Sequence, residues 1–367
     1  FLKNIKSAFA FQALSVIINF VSRKLFLMVL TTEYLGLNGI FSNILSMLSL
    51  SEMGIGSAIT YSLYKPLAEG DQERVASLMA LYRRAYRIMG ILTMLLGGAL
   101  APFLPLLIRD MPDIPHIYLI YLIYVLNSAL SYFYSYKHSL IAADQKRYVL
   151  TAYYGWQQLA TAIVQISLLL WTRNYFVYLG FQTAAGLAGN IIVSRKADRL
   201  YPYLKTIPPK ELDPEVRKSI SQNAKALILH RLSWFVVFGT DNLLMSAFVG
   251  AAAVGLYSNY TMVTSGLKSI YEQLFKALTA GVGNLSAEKP PEEVLPVFRR
   301  IDLFFSWLYG FSAVSLAVLL NPFISLWLGA DYQLSQNIVW LIALNFYATG
   351  MRKTVLTFRT AYGLYWQ

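Results

Sequence analysis

The chain has 367 residues, of which 56% are hydrophobic and only 14% are charged, and its formal net charge is +12. In a soluble domain about a quarter of the residues are charged, so this composition excludes a soluble fold. There is no cysteine, and the three histidines, His116, His138 and His230, are scattered along the chain. Disulfides, a metal centre and a cofactor are therefore not expected.

Ten apolar segments, each long enough to cross the hydrocarbon layer as a helix, predict an all-α, polytopic membrane protein. The first is expected to be a retained spanning helix because it lacks the short core and small-residue site of a cleaved signal. The predicted spans are residues 8–30, 37–62, 88–109, 116–136, 149–171, 176–194, 222–248, 253–280, 301–328 and 336–357.

The basic residues predict how these spans are oriented. Most of the 31 Lys and Arg lie in connections on one side of the membrane, above all in residues 65–87 and 195–225. Only Arg109 and Arg173 lie in connections on the other side. Basic connections stay in the cytoplasm, so the amino-terminal end is predicted to be cytoplasmic. The same bias explains the positive charge, and no nucleic-acid partner is expected.

The second half of the chain repeats the first at an offset of about 219 residues. Six spans separate equivalent points, so both copies keep the same orientation, an arrangement that suits rocking-type alternating access. The copies of the fifth and sixth spans are missing, so we expect 12 or 14 spans in the intact protein. The ordered matches include Gly36 with Gly255, Ser46 with Ser265, Glu69 with Glu288, Arg84 with Arg300, Pro102 with Pro322, and Asn127 with Asn345.

This repeat also predicts the domains. Residues 1–194 form an N-terminal lobe with spans one to six, and residues 219–367 form an incomplete C-terminal lobe with spans seven to ten. Residues 195–218, which are rich in proline and charge, form a cytoplasmic linker between them.

Polar residues within the spans are costly in lipid and are therefore candidates for a functional site. On spans one, two, seven and eight they recur at helical spacing as stripes, which we expect to meet across the repeat axis in a basic, hydrated cavity. Four basic residues remain within the spans after those near the span ends are assigned to the connections: Arg23, Lys24, Arg231 and Lys268. The other candidates on these helices are Asn19, Glu52, Asp241, Asn242 and Glu272, and the second-span stripe also contains Asn38, Gly56 and Thr60.

Simpler explanations for these residues stay open. Serine and threonine stripes often serve helix packing alone. Lys268 and Glu272 are one turn apart and can neutralise each other. Arg23 and Lys24 can extend to the outer interface. Aromatic residues such as Tyr124 are explained by interfacial belts and lipid-facing packing. The cavity is favoured because Arg23 continues a polar stripe.

Several short motifs resemble those of bacterial O-antigen and capsular polysaccharide flippases. The motifs are YLG at residues 34–36, LSEMGIGSA at 50–58, YKPLAEGD at 64–71 and GTDN at 239–242. These flippases are the polysaccharide transporter branch of the multidrug/oligosaccharidyl-lipid/polysaccharide (MOP) exporter superfamily. The resemblance implies two six-helix lobes around a central cavity, in the bacterial inner membrane.

The resemblance also implies a function that is not enzymatic. It implies translocation of undecaprenyl-pyrophosphate-linked oligosaccharide from the inner to the outer leaflet by alternating access. Arg23, Lys24, Arg231 and Lys268 would bind the pyrophosphate, and the other candidates would line the sugar path or couple ions. Lipid II flippases of this superfamily also have arginine near Arg23, but their further arginines are absent here. The partners expected are the lipid-linked glycan, membrane lipids and the polysaccharide polymerase machinery.

Two other functions are weighed against this one. A cation-coupled multidrug exporter of the same superfamily would favour a cavity dominated by acidic and aromatic groups, whereas basic groups prevail here. A membrane glycosyltransferase or polymerase acting on a lipid-linked sugar would need a substantial outward loop. The predicted outward connections are all short.

Overall fold

The computed structural model describes the backbone of residues 2–216, 218–222, 224–225, 228, 232 and 239–362. Among these residues the regular structure is helical throughout. The helices are α1 (Leu2–Val29), α2 (Thr32–Leu48), α3 (Leu50–Glu69), α4 (Gln72–Leu100), α5 (Leu104–Leu107), α6 (Ile117–Ala143), α7 (Arg147–Thr172), α8 (Tyr175–Leu200), α9 (Tyr203–Thr206), α10 (Asp241–Phe248), α11 (Ala251–Glu288), α12 (Pro291–Trp327) and α13 (Gln336–Ala361).

Each predicted span other than the seventh coincides with a described helix or a pair of consecutive helices. The seventh lies largely outside the described residues, and only its end is seen, as α10. Several helices are longer than the bilayer requires. The 38 residues of α11 and the 37 of α12 extend about 55 Å each, against a hydrocarbon thickness of about 30 Å. These helices therefore project beyond the membrane.

Within the described part of the chain, four helical segments are long and apolar enough to cross a membrane by length and composition: Gln72–Leu107, Ile117–Ala143, Tyr175–Leu200 and Glu292–Trp327. Large apolar side chains also stay exposed, including Leu106 (76%), Trp171 (84%) and Leu326 (86%). Extensive exposed apolar surface of this kind fits contact with lipid. The prediction of an all-helical, multi-pass membrane protein is confirmed.

The described chain divides into two compact units. The first unit is Val21–Gly255, and the second unit combines Phe1–Phe20 with Leu256–Gln367. This division follows packing, and it differs from the predicted division by repeat, which stays a prediction. The unit boundaries fall within α1 and α11.

The first unit has two apolar clusters, one towards each end of its helices. One cluster surrounds Ile40 and Phe41 of α2 together with Tyr121 of α6. The other surrounds Ile59 of α3 and Leu78 of α4 together with the second half of α6. Two contacts show how closely α4 and α6 approach. The Tyr121 hydroxyl donates to the Gly97 carbonyl at 2.9 Å, and a Cβ on Gly97 would lie 2.7 Å from Val125.

The second unit is built around α11, α12 and α13. Its core contains Tyr260 and Tyr271 of α11, Tyr309 of α12 and Phe346 of α13. The Tyr271 hydroxyl lies 2.5 Å from the Ser312 hydroxyl, so this buried phenol is hydrogen-bonded. Phe20, at the end of this unit's part of α1, packs against Phe323 and Trp327 of α12.

The second predicted span is interrupted near its middle. The second span, predicted as a single segment, is two helices, α2 and α3, which meet at Ser49. The Ser49 hydroxyl donates to the Ser46 carbonyl at 2.8 Å. A serine hydroxyl bound to a carbonyl of the preceding turn competes with the backbone, but the same kind of bond at Ser62 leaves α3 continuous, so this bond does not by itself explain the break.

Candidate functional site

The predicted site residues are divided between the two units. Arg23, Lys24, Asp241 and Asn242 belong to the first unit, and Asn19, Lys268 and Glu272 to the second. Two predictions cannot be placed. Arg231 lies outside the described residues, and Glu52 lies in α3 where only the backbone is described.

A polar cluster in the first unit is centred on Asn38 of α2. Its Oδ1 atom accepts hydrogen bonds from the Tyr124 hydroxyl at 2.5 Å and from the Tyr175 hydroxyl. The two hydroxyls are 3.3 Å apart. Tyr175 also contacts Tyr34, with ring centroids 4.6 Å apart, and stacks on Tyr178 at 5.9 Å. Two tyrosines of α6 and α8 therefore bind one carboxamide, and two further tyrosines, of α2 and α8, pack against Tyr175. We call these five residues the tyrosine cluster.

Arg23 of α1 belongs to this neighbourhood. Its side chain is half-buried and interacts electrostatically with Tyr178. One turn further along α1, Phe26 packs edge-on against Tyr178 and Tyr175, at 5.3 and 6.3 Å. The helix α1 ends at Val29, six residues after Arg23, so the Cα atom of Arg23 lies about 9 Å from that end of the helix. The predicted cationic residue is thus placed beside a group of aromatic hydroxyls.

Lys24 is on a different face of α1 from Arg23. Its side chain is exposed. The two residues predicted together therefore have different surroundings, and Arg23 alone adjoins the tyrosine cluster.

Asp241 and Asn242 begin α10. Asp241 is exposed in the first turn, where a carboxylate interacts favourably with the helix dipole. Asn242 faces α2, because a Cβ on Gly39 would lie 3.5 Å from its Nδ2 atom. Just before the helix, the Gly239 carbonyl accepts a hydrogen bond from Asn43 at 2.9 Å. The GTDN motif is thereby attached to α2, the helix that carries Asn38.

Glu272 is engaged by a residue that the sequence did not pair with it. Its Oε1 atom accepts a hydrogen bond from Lys353 of α13 at 3.0 Å. Lys268 lies instead with its Nζ atom 5.9 Å from the centre of the Phe346 ring. Glu272 is also 21 residues beyond Ala251, the first residue of α11, a distance of about 31 Å. That is close to the full hydrocarbon thickness, so the geometry favours an interfacial ion pair for Glu272.

Part of the predicted second-span stripe serves helix packing. The Tyr82 hydroxyl of α4 donates to Ser139 of α6 at 2.9 Å and lies 3.1 Å from the Gly56 carbonyl. Thr60 approaches the same hydroxyl at 3.4 Å. Helix packing therefore explains Gly56 and Thr60, whereas Asn38, which precedes them in the same predicted stripe, belongs to the tyrosine cluster.

Comparison with known families and structures supports the helical architecture. The model of a family described as "Polysaccharide biosynthesis protein" matches residues 1–278. Comparison with curated protein sequences gives no match.

Two solved structures have a similar fold. One is an inward-facing multidrug resistance MATE family transporter of the MOP superfamily, with a TM-score of 0.66 and 12% identity; the alignment covers 95% of this chain and 83% of that chain. The other is a mutant of the Vibrio cholerae MATE transporter VcmN, with a TM-score of 0.61 and 13% identity, covering 99% and 83%. The family match agrees with the predicted polysaccharide-transporter affiliation, and the predicted fold, that of MOP-type transporters, is confirmed.

Proposed function

Since the chain belongs to the polysaccharide biosynthesis protein family, we propose that it is a flippase for lipid-linked oligosaccharide. It would move an undecaprenyl-pyrophosphate-linked unit, such as an O-antigen or capsule repeat, from the inner to the outer leaflet of the bacterial cytoplasmic membrane. The family and the fold are those of MOP-type transporters. The proposed mechanism is alternating access, and the amino-terminal end is proposed to lie in the cytoplasm.

The observation that carries this proposal is Arg23 beside the tyrosine cluster. An arginine within a membrane helix is costly unless it has polar surroundings or a function. Its planar guanidinium can bind two oxygens of a phosphate at once. Tyrosines present both a ring face and a hydroxyl, which suits the apolar faces and hydroxyl groups of sugars. A pyrophosphate attached to a glycan needs both kinds of contact.

The remaining residues enter the proposal with weaker support. Lys24, Lys268 and Arg231 stay predicted pyrophosphate ligands, and Asn19, Glu52, Asp241, Asn242 and Glu272 stay predicted residues of the sugar path or of ion coupling. The ion pair with Lys353 counts against a direct substrate role for Glu272. We therefore base the test on Arg23.

A cation-coupled multidrug exporter is the main competing function, because the similar solved structures are MATE transporters. Their identity of 12–13% bears on the fold alone. An aromatic cluster could bind an organic cation through its ring faces. The fixed positive charge of Arg23 next to those rings would repel such a cation, and it favours an anionic substrate.

The test uses the full chain reconstituted in liposomes with fluorescent undecaprenyl-pyrophosphate oligosaccharide. Loss of a hydrogen-bonded charge weakens binding by about 1.5–3 kcal/mol, so Arg23→Gln should slow translocation about 10- to 100-fold. Arg23→Lys keeps the charge but cannot bind the phosphate in a bidentate way. We therefore expect a translocation rate between those of Arg23→Gln and the unaltered chain. Tyr178→Phe removes the hydroxyl beside Arg23 and should give a smaller decrease.

The matched control is Arg84→Gln, which removes one positive charge from an exposed position of α4. It should leave the rate unchanged. Equal rates for Arg23→Gln and the unaltered chain would refute the binding site. Failure of the unaltered chain to move the lipid, together with export of organic cations down an ion gradient, would refute the function itself.

A further inference from the structure

A cavity of about 170 Å³ lies in the first unit where α4, α6 and α8 meet the segment that follows α9. It is far from Arg23 along the helices. Leu100, the last residue of α4, packs in the same apolar cluster as Phe26 of α1, and Arg83 precedes Leu100 by 17 positions, about 26 Å. A water molecule occupies about 30 Å³, so a phosphate group with some of its water fits. The charged and hydroxylated residues that line it are Arg83, Tyr136, Lys137, Asp198 and Lys205.

The charges around this cavity do not cancel. Asp198 accepts from Lys137 at 2.6 Å and is 3.7 Å from Lys205, so one carboxylate faces two ammonium groups. The side chains of Lys137 and Asp198 are only 17% and 22% exposed. Arg83 adds a guanidinium, which has no ion-pair partner among the described residues. Three cations and one carboxylate leave two uncompensated positive charges.

The wall of the cavity formed by Ile207 and Pro209 is fixed in place. The backbone N–H of Lys210 donates to the Ser77 hydroxyl at 2.9 Å, and its Nζ atom donates to Glu73 at 2.5 Å. Both partners are on α4, the helix that also carries Arg83. The segment after α9 is therefore held against α4, and the cavity has a defined outline.

We propose that this cavity binds a phosphate group, either the phosphodiester of an anionic lipid headgroup or a free phosphate. The proposal takes its membrane side from the predicted orientation, in which this end of α4, α6 and α8 is cytoplasmic. Basic pockets between membrane helices on that side suit anionic headgroups. The site is independent of the transported substrate, since its residues lie at the other end of the unit from the tyrosine cluster.

The experiment uses the full chain in nanodiscs with two arms. One arm measures, by native mass spectrometry, how much phosphatidylglycerol stays bound in a phosphatidylcholine background. The other titrates inorganic phosphate in pure phosphatidylcholine nanodiscs by calorimetry. Arg83→Gln should weaken binding about fivefold in whichever arm gives a signal, the factor for one basic residue near an anionic lipid.

Arg84→Gln is the matched control, because Arg84 is the next residue, is exposed and does not line the cavity. It should bind like the unaltered chain. Binding in the lipid arm alone assigns a headgroup site, and binding in the phosphate arm alone assigns a site for a soluble phosphate. Absence of binding in both arms, or equal weakening by Arg83→Gln and Arg84→Gln, overturns the proposal. Flipping assays are not involved, so the flippase proposal can fail separately.

Discussion

Asp144, the residue after α6, shows how single side chains stabilise the inner end of the first unit. Its Oδ2 atom lies 2.6 Å from Lys146 Nζ and accepts from the Tyr201 hydroxyl at 2.7 Å. Burial alone would raise the pKa of Asp144, but the hydrogen bonds from Lys146 and Tyr201 and the charge of Lys146 outweigh it and lower this pKa below 3.8. Burial, together with the hydrogen bond to this carboxylate and its charge, raises the pKa of Tyr201.

This arrangement predicts a pH dependence. A carboxylate with a lowered pKa in the folded state stabilises the protein above its unfolded-state pKa, and the contribution is lost as the pH falls through the folded-state pKa. We expect Asp144→Asn to lower the free energy of unfolding by about 1 kcal/mol at pH 7. Thermal unfolding in detergent from pH 7 downwards measures this. The difference from the unaltered chain should begin to shrink as the pH approaches the ordinary aspartate pKa of about 3.9, and it should vanish only below the lowered pKa of the folded state.

Asp331→Asn serves as the control, since Asp331 is exposed in the short turn before α13. Its effect should be within experimental error at every pH. A pH-independent difference for Asp144→Asn would show that packing, and not the charge, is responsible.

At the residue scale, charge burial was visible in the sequence and aromatic geometry was not. Arg23 and Asn38 could be selected because polar groups in an apolar helix are rare. Tyr175 and Tyr178 gave no comparable signal, since the chain has 26 tyrosines and interfacial belts account for many of them. Lys268 does interact electrostatically with Glu272, but the direct partner of Glu272 is Lys353, 81 positions away, which helical spacing could not indicate.

At the scale of elements, α2 and the start of α11 approach each other more closely than any side chain allows. A Cβ on Gly36 would lie 1.9 Å from the Ala251 carbonyl oxygen, and a Cβ on Gly255 would lie 2.0 Å from the Thr32 carbonyl oxygen. Small residues permit such contact between membrane helices. Each glycine touches the backbone four residues before the other glycine, so the contact is reciprocal.

This crossing predicts opposite effects of the same substitution at different glycines. Gly36→Ala and Gly255→Ala must separate the two helices, and we expect each to lower stability by about 1–3 kcal/mol. Gly180→Ala in α8, where a Cβ meets open space, should instead raise stability by about 0.5–1 kcal/mol, because alanine favours helix. Thermal unfolding in detergent compares the three. Stabilisation by Gly36→Ala would contradict the close crossing.

Helix identity followed from apolar length, but helix ends depended on local chemistry. α4 begins at Gln72, well before its predicted apolar segment, because the Asp71 side chain caps it by accepting from the Arg74 N–H at 2.9 Å. Apolar length cannot detect that extension, since the first turns are polar. The break at Ser49 was also missed, because both halves of the segment are apolar enough to look continuous.

At the scale of the whole molecule, the orientation in the membrane is still a prediction, and the absence of cysteine makes it testable. Thr31 is exposed and makes no capping hydrogen bond through its side chain, and Pro208 is exposed after α9. In intact cells a membrane-impermeant thiol reagent should label Thr31→Cys. It should label Pro208→Cys only after the membrane is permeabilised.

The reverse pattern would invert the proposed direction of every helix, and the unaltered chain, which offers no thiol in these residues, gives the background.

Class and fold could be predicted at this scale because the bilayer demands long apolar helices. The grouping of helices into the two units could not be predicted. The unit boundary divides α1 between Phe20 and Val21, and apolar periodicity does not indicate which helices pack against each other.

The reciprocal contact of Gly36 and Gly255 also has a meaning for descent. These two positions correspond in the predicted internal repeat, which implies that a single ancestral glycine came to face its own copy. After duplication the two copies could diverge at most positions. A side chain at either glycine, however, would clash with the backbone of the helix that carries the other glycine. We therefore expect both positions to stay glycine in related sequences, while the flanking residues vary.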